Sequence, residues 1–427
     1  MKSIHLLSFF FFLLMTLSCK EEAPIKDPET KPTGYTQFGT PFANMPSTEN
    51  VVMYEVNLRA FSNSGNIPGV IERLDEIKDL GVNVIWLMPI YPIGVKNSVN
   101  SPYSVKNYKG INSEFGTLSD LRALTTQAHN KNMAVILDWV ANHTAWDNSW
   151  INNPGWYSTD ESGNIIIPPG TNWQDVADLN FENTDMRAAM IDAMKYWVLE
   201  ANVDGFRCDY ADGVPEDFWS QALDSLNSIP GRKLIFLAEG SRMDHLTSGF
   251  DLIYGWDFYS MLKNVFGSYT AANLIAVHNK EYSSLPVGKH RLRYSTNHDQ
   301  SAWESTPIVL FKGKKGALAA SVATIFVGGV PLFYTGQEVG RESTVPFFSN
   351  SPIDWTLNPD MLQEYKEIMS FYTQSDAARK GTNKSYSSGG ILCFKKTFET
   401  KDILIIANLR NSTFVFLIPV ELQNTNW

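Results

Sequence analysis

Strand and helix signals alternate along this chain. They predict an α/β fold: a (β/α)8 TIM barrel with an inserted loop domain after strand 3 and a small C-terminal antiparallel β domain. Three observations carry that prediction. Eight short β-rich apolar runs fall at 51–56, 82–87, 133–137, 205–208, 234–238, 250–254, 291–295 and 330–334. Helical periodicity fills most of the gaps between them, which favours parallel strands, and eight such units favour a closed barrel over an open sheet. Beyond a helix around 361–372 the texture changes to short alternating runs at 391–394, 403–407 and 414–417, the pattern of a small antiparallel sheet.

The elements justify themselves in order. After the first run, Val70, Ile71, Leu74, Ile77 and Leu80 recur at helical spacing. Leu118, Leu121, Leu124 and Ala128 mark the next helix, with Thr117 and Asp120 placed as an N-cap pair. Residues 144–180 break the rhythm with Asn, Pro, Gly, Trp and Asp, and read as the insert. Met186, Met190, Met194, Trp197 and Val198 then form a helical stripe, which reads as core. The expected organisation is a signal peptide at 1–18, a tether at 19–48, the barrel at 49–380 with its insert at about 143–185, and a β domain at 381–427. That last domain is short, so the reading is a truncated end or a reduced domain.

Residues 1–19 carry one Lys, an apolar core too short for a bilayer, and Ser18-Cys19. This resembles a bacterial lipoprotein signal with a lipid on Cys19. Lys20-Glu21-Glu22 resembles a surface-export signal, so the expectation is an exported protein, lipid-anchored to the outer membrane and facing the cell surface. Residues 20–48 are Pro-, Lys- and Glu-rich without apolar periodicity, as expected of a tether. The other two cysteines, Cys208 and Cys393, read as free buried thiols. A net charge of −10 argues against a nucleic-acid partner, which needs a basic face. The chain has 12 Trp, 17 Tyr and 25 Phe, enough for a large core or for a groove that stacks sugar rings. No CxxC or HExxH pattern supports zinc.

Catalytic groups of such barrels sit at the C-terminal ends of the strands. Polar residues that directly follow the apolar runs are Asp138, Asp209, Glu239 and His298-Asp299. Four carboxylates and a histidine at one mouth suit glycoside hydrolysis, in which one acid protonates the leaving oxygen and another attacks or activates water. A metal site is the rival use of the same acids.

The residues also resemble the α-amylase family, glycoside hydrolase family 13, from about residue 50 to 427. The resemblance rests on an ordered set: Asp138-Trp139-Val140-Ala141-Asn142-His143, Gly205-Phe206-Arg207-Cys208-Asp209, Phe236-Leu237-Ala238-Glu239-Gly240 and Asn297-His298-Asp299. It implies a retaining hydrolase of α-glucans such as starch or maltodextrins. Asp209 is then the nucleophile, Glu239 the general acid and base, and Asp299 the carboxylate that favours the distorted transition state. Arg207 holds Asp209 ionised, His143 and His298 bond the same sugar, and Tyr103 is its stacking platform. Taken alone, His143 reads as a buried histidine and Tyr103 as core. The family often carries Lys-His after its nucleophile, where this chain has Ala211-Asp212. Of the family's calcium contacts Asn142 remains, so no complete calcium site is expected and no cofactor is expected for the chemistry. The alternatives are an α-1,6-acting or transglycosylating enzyme, or a non-catalytic glycan-binding lipoprotein.

Overall fold

The structure is a computed structural model that describes residues 34–423, 425 and 427. The expected signal peptide at 1–18 and the expected lipid on Cys19 lie outside the described residues.

Eight parallel strands close into a barrel in chain order: Met53–Val56, Val84–Leu87, Ala134–Val140, Gly205–Asp209, Ile235–Ala238, Leu252–Tyr254, His290–Arg293 and Val330–Tyr334. The last pairs with the first, so no barrel edge is left open. Each of the eight expected runs overlaps one strand. Strand alternation sorts the side chains into two cores. Met53, Val84, Trp86, Ala134, Ile136 and Leu252 point into the barrel. Tyr54, Ile85, Leu87, Val135, Phe206 and Cys208 point out against the helices. Cys208 and Cys393 are both buried and unpaired, as expected. Gly205 opens the fourth strand at φ +148°, and a Cβ there would lie 1.9 Å from the Ile235 carbonyl oxygen. Only glycine allows the fourth and fifth strands to approach so closely.

The helices follow their patterns with one adjustment. Thr117 and Asp120 form a reciprocal capping box on Leu118–Asn130. The Met-rich stripe is the buried face of Thr184–Glu200. The pattern from Val70 to Leu80 is split into Ile67–Ile71 and Leu74–Asp79. Between the third strand and Thr184–Glu200, the chain makes a small excursion whose two-stranded sheet pairs His143–Ala145 with Val176–Asp178.

Two expectations change. Residues 35–48 were expected within the tether, but they pack across the N-terminal end of the barrel. Phe38 N–H donates to Leu199 O (2.8 Å), Asn202 Nδ2 donates to Thr40 O (2.8 Å), and Phe42 stacks on His129 at 4.7 Å. Phe42 and Met45 are buried against the inner core. The hydrophobes are isolated in a polar stretch, so the sequence carries no period to reveal them. At the other end, the antiparallel sheet is Thr382–Ser385, Ile391–Phe398 and Lys401–Asn408. The run at 414–417 is not a strand: no neighbour pairs with it, and Val415 and Leu417 are exposed. The polar Thr382–Ser385 takes the third place as an exposed edge, where alternation has nothing to sort.

Candidate active site

The period-2 alternation that builds the inner core also selects the site. Continuing inward from Met53, Trp86, Ile136 and Gly205 toward the C-terminal ends brings Glu55, Asp138, Arg207 and Asp209 to the barrel mouth. Glu239 follows the fifth strand, and His298-Asp299 follow the seventh.

Arg207 is the centre. It is fully buried, and its guanidinium lies 5.0 Å from the Trp86 ring centroid and 5.8 Å from that of Tyr254. Nη1 donates to Asp138 Oδ1 and to Asp209 Oδ1, both at 2.8 Å. Nη2 lies 2.8 Å from Glu239 Oε1, but off the line of its N–H bonds. Asp138 has no exposed surface. Its Oδ2 also accepts from Trp86 Nε1 and the Tyr103 hydroxyl, each at 3.1 Å. Of the four expected acids, Asp138 therefore lies beneath the cleft and supports Arg207, while Asp209, Glu239 and Asp299 line the cleft itself.

One cation cannot hold three buried carboxylates ionised at little cost. Burial raises Glu239 most, with Asp209 and Asp299 adding to it against Arg207, up to about 7. Burial raises Asp209 to about 6, with Asp138 adding and Arg207 opposing. The geometry gives the same order, because Asp209 takes an aligned hydrogen bond from Arg207 and Glu239 does not. Glu239 is thus the carboxyl that keeps its proton near neutral pH.

His298 Nδ1 donates to Glu55 Oε1 (2.5 Å), and its Nε2 lies 2.9 Å from the Tyr103 hydroxyl and 3.5 Å from Asp299 Oδ2. Burial alone would lower His298, but Asp299 and Glu55 outweigh it and bring it up to about 9. Burial raises Glu55 as well, with His298 and Arg207 opposing. The pair is an imidazolium facing a carboxylate, because both ring nitrogens have acceptors. His298 then donates to Tyr103, and Tyr103 donates to Asp138. Burial lowers His143 to about 4, so it is neutral.

The cleft encloses about 670 Å³. Of the catalytic and sugar-binding residues expected from the sequence, Tyr103, His143, Asp209, Glu239, His298 and Asp299 line it, while Arg207 and Asp138 lie buried beneath. Sequence reasoning missed Glu55, although a charged residue inside an apolar strand is a usable signal. It also missed the aromatic walls. Trp173 and Tyr210 meet edge to face at 5.0 Å on one side. Trp303, 66% exposed, rests on Phe347 and Phe348 on the other. Trp303 lies on a single π-turn, Gln300–Glu304, directly after Asp299. Such turns recur at functional sites.

Among the described residues, no group of three or more His, Cys, Asp or Glu is arranged to hold a metal. Asn142, the residue expected to remain from a calcium site, approaches the turn at Gly213, where a Cβ would lie 2.7 Å from its Oδ1. The Ala211, Asp212 and Val214 carbonyls of that turn already accept hydrogen bonds from Trp219 and Arg242, so the turn offers few free oxygens to an ion that takes six to eight.

Comparison with known proteins agrees with this geometry. Residues 40–167 and 170–243 match the family model for the alpha amylase catalytic domain. Alpha-amylase 2 of Dictyoglomus thermophilum is 26% identical over 400 residues, covering 86% of this chain and 68% of that protein. A probable oligo-1,6-glucosidase 2 of Bacillus subtilis is 31% identical over 199 residues, covering 38% of this chain and 34% of that protein. Among solved structures, an alpha-amylase from Lactobacillus plantarum superposes with a TM-score of 0.77 at 29% identity, covering 84% of this chain and 89% of that one.

Proposed function

We propose that this chain is an α-amylase-family glycosidase acting on α-glucans and that it hydrolyses them with retention, through a covalent intermediate on Asp209. The observation that carries the reading is the shared guanidinium. Arg207 reaches both Asp209 and Glu239 at 2.8 Å, which holds the two carboxylates close, as a retaining pair requires. Asp209 attacks the anomeric carbon while protonated Glu239 gives its proton to the leaving oxygen. Glu239, now a base, takes a proton from the water that releases the sugar. Asp299 bonds the hydroxyls of the reacting ring, His298 shares its Nε2–H between the Tyr103 hydroxyl and that ring, neutral His143 adds another contact, and Tyr103 lies beneath it. Oxocarbenium-like charge develops among carboxylates, which stabilise it.

The walls favour a neutral substrate. Five carboxylates line the cleft, Asp175, Asp209, Asp212, Glu239 and Asp299, and none of its lining residues is Lys or Arg. A phosphorylated or otherwise anionic sugar would meet repulsion from those that are ionised. Trp173, Tyr210, Trp256 and Trp303 offer faces for uncharged rings.

The test is reducing-end release from maltoheptaose, starch, pullulan and isomaltooligosaccharides, beside Asp209→Asn. Activity on the α-1,4 substrates, lost in the variant, is the expected result. Activity confined to isomaltooligosaccharides would move the assignment to α-1,6 linkages. Inactivity on all four would leave a glycan-binding protein. We propose further that the chain is exported and lipid-anchored at Cys19, so Cys19→Ser should release it from membranes; continued membrane association would contradict the anchor.

A further inference from the structure

The loop after the nucleophile is held in an unusual way. The Tyr210 carbonyl accepts from Gly213 N–H (2.9 Å). The Ala211 carbonyl accepts from Trp219 Nε1 (3.2 Å) and Val214 N–H (3.2 Å). The Asp212 and Val214 carbonyls accept from Arg242 Nη1, at 2.9 and 3.4 Å. The Asp212 carboxylate accepts from His245 Nε2 (2.7 Å) and Ser241 N–H (3.1 Å). Arg242 is itself steadied by Asp244, 3.0 Å from its Nε.

A calcium ion needs six to eight oxygens with free lone pairs. Here N–H donors aim at the Tyr210, Ala211, Asp212 and Val214 carbonyls, and the Arg242 guanidinium already sets a positive charge against two of them. We propose that Arg242 does for this loop the holding that a structural cation would do, so that the enzyme keeps its active geometry without a divalent metal.

The consequence for chemistry runs through the loop. Tyr210 N–H donates to Glu239 Oε2 (2.8 Å), and Ala211 N–H donates to the Glu239 carbonyl (2.9 Å). Arg242 is therefore a positioning residue for Glu239, and this part rests on the reading of Glu239 as the acid. Gly240 is required beside the clamp, because a Cβ there would lie 2.5 Å from both Asp212 Oδ1 and His245 Nε2.

The experiment uses the full chain. Melting temperature, kcat and KM on maltoheptaose are measured as purified, after excess EDTA, and after calcium is added back. All three are expected to stay unchanged throughout. In Arg242→Ala, kcat should fall about 10- to 100-fold with KM little altered, since the acid is displaced and the sugar contacts are not. Arg242→Lys should recover part of that loss, because an ammonium keeps the charge and can reach one carbonyl. A chelator-induced loss of melting temperature or kcat that calcium reverses would overturn the proposal, as would wild-type kcat in Arg242→Ala. Should Arg242→Ala not fold, the chelator arm and Arg242→Lys still decide. Should no α-glucan be cleaved at all, the functional reading fails, while the melting arm still tests the clamp.

Discussion

The two ends of the barrel are built from the same strands and the same alternation, yet they do opposite work. At the N-terminal end, the inward residues Met53, Val84, Ala134, Ile235 and Val330 are apolar, and Phe42 and Met45 pack over them. At the C-terminal end, the inward positions of the first, third and fourth strands become Glu55, Asp138, Arg207 and Asp209. One end maximises apolar burial. The other concentrates buried charge, which costs stability unless each group has a partner. The comparison teaches that stability and chemistry can be divided along a single strand, as from Met53 to Glu55 and from Ala134 to Asp138.

That division can be broken from either side. The largest effect belongs to Asp209→Asn, which should lower kcat/KM about 10⁴-fold or more, as expected for loss of a nucleophile. Its melting temperature should hold or rise, since one carboxylate leaves a crowded cluster; a large loss of stability would mean that the mouth, too, is structural. Glu239→Gln comes next, with a drop of about 10²–10⁴ on maltoheptaose. The loss should shrink sharply on a glucosyl fluoride, whose leaving group needs no proton, and an equal loss on both substrates would remove Glu239 as the acid. Phe42→Ala attacks the opposite end. It should cost about 3 kcal/mol in denaturant unfolding with kcat unchanged. A matching fall in kcat would show that the two ends are coupled.

The smallest effect is a pH profile. Below about 6 Asp209 binds a proton and cannot attack, and above about 7 Glu239 has lost the proton it must donate. The kcat/KM profile should therefore be a narrow bell with its maximum between those limbs. A plateau extending well above neutral would contradict the protonated Glu239.

Much of this was legible in the sequence, for a physical reason. Strand alternation and the rule that strand ends carry the chemistry are both local, so Asp209, Glu239 and Asp299 could be read from apolar runs alone. What was hidden depends on distant partners. Asp138 looks like another cleft acid until its contacts with Trp86, Tyr103 and Arg207 place it beneath the floor. The Arg242 clamp joins the loops after two different strands. Phe42 gains its meaning from His129, which no local pattern links to it. The run at 414–417 had the opposite fault: its alternation was sound, but no neighbouring strand pairs with it.

The central claim is retention through Asp209. Proton NMR of maltoheptaose cleavage, recorded within the first minutes before mutarotation, tests it directly. The α-anomer should appear first and relax toward the equilibrium mixture. Appearance of the β-anomer first would contradict a covalent intermediate on Asp209.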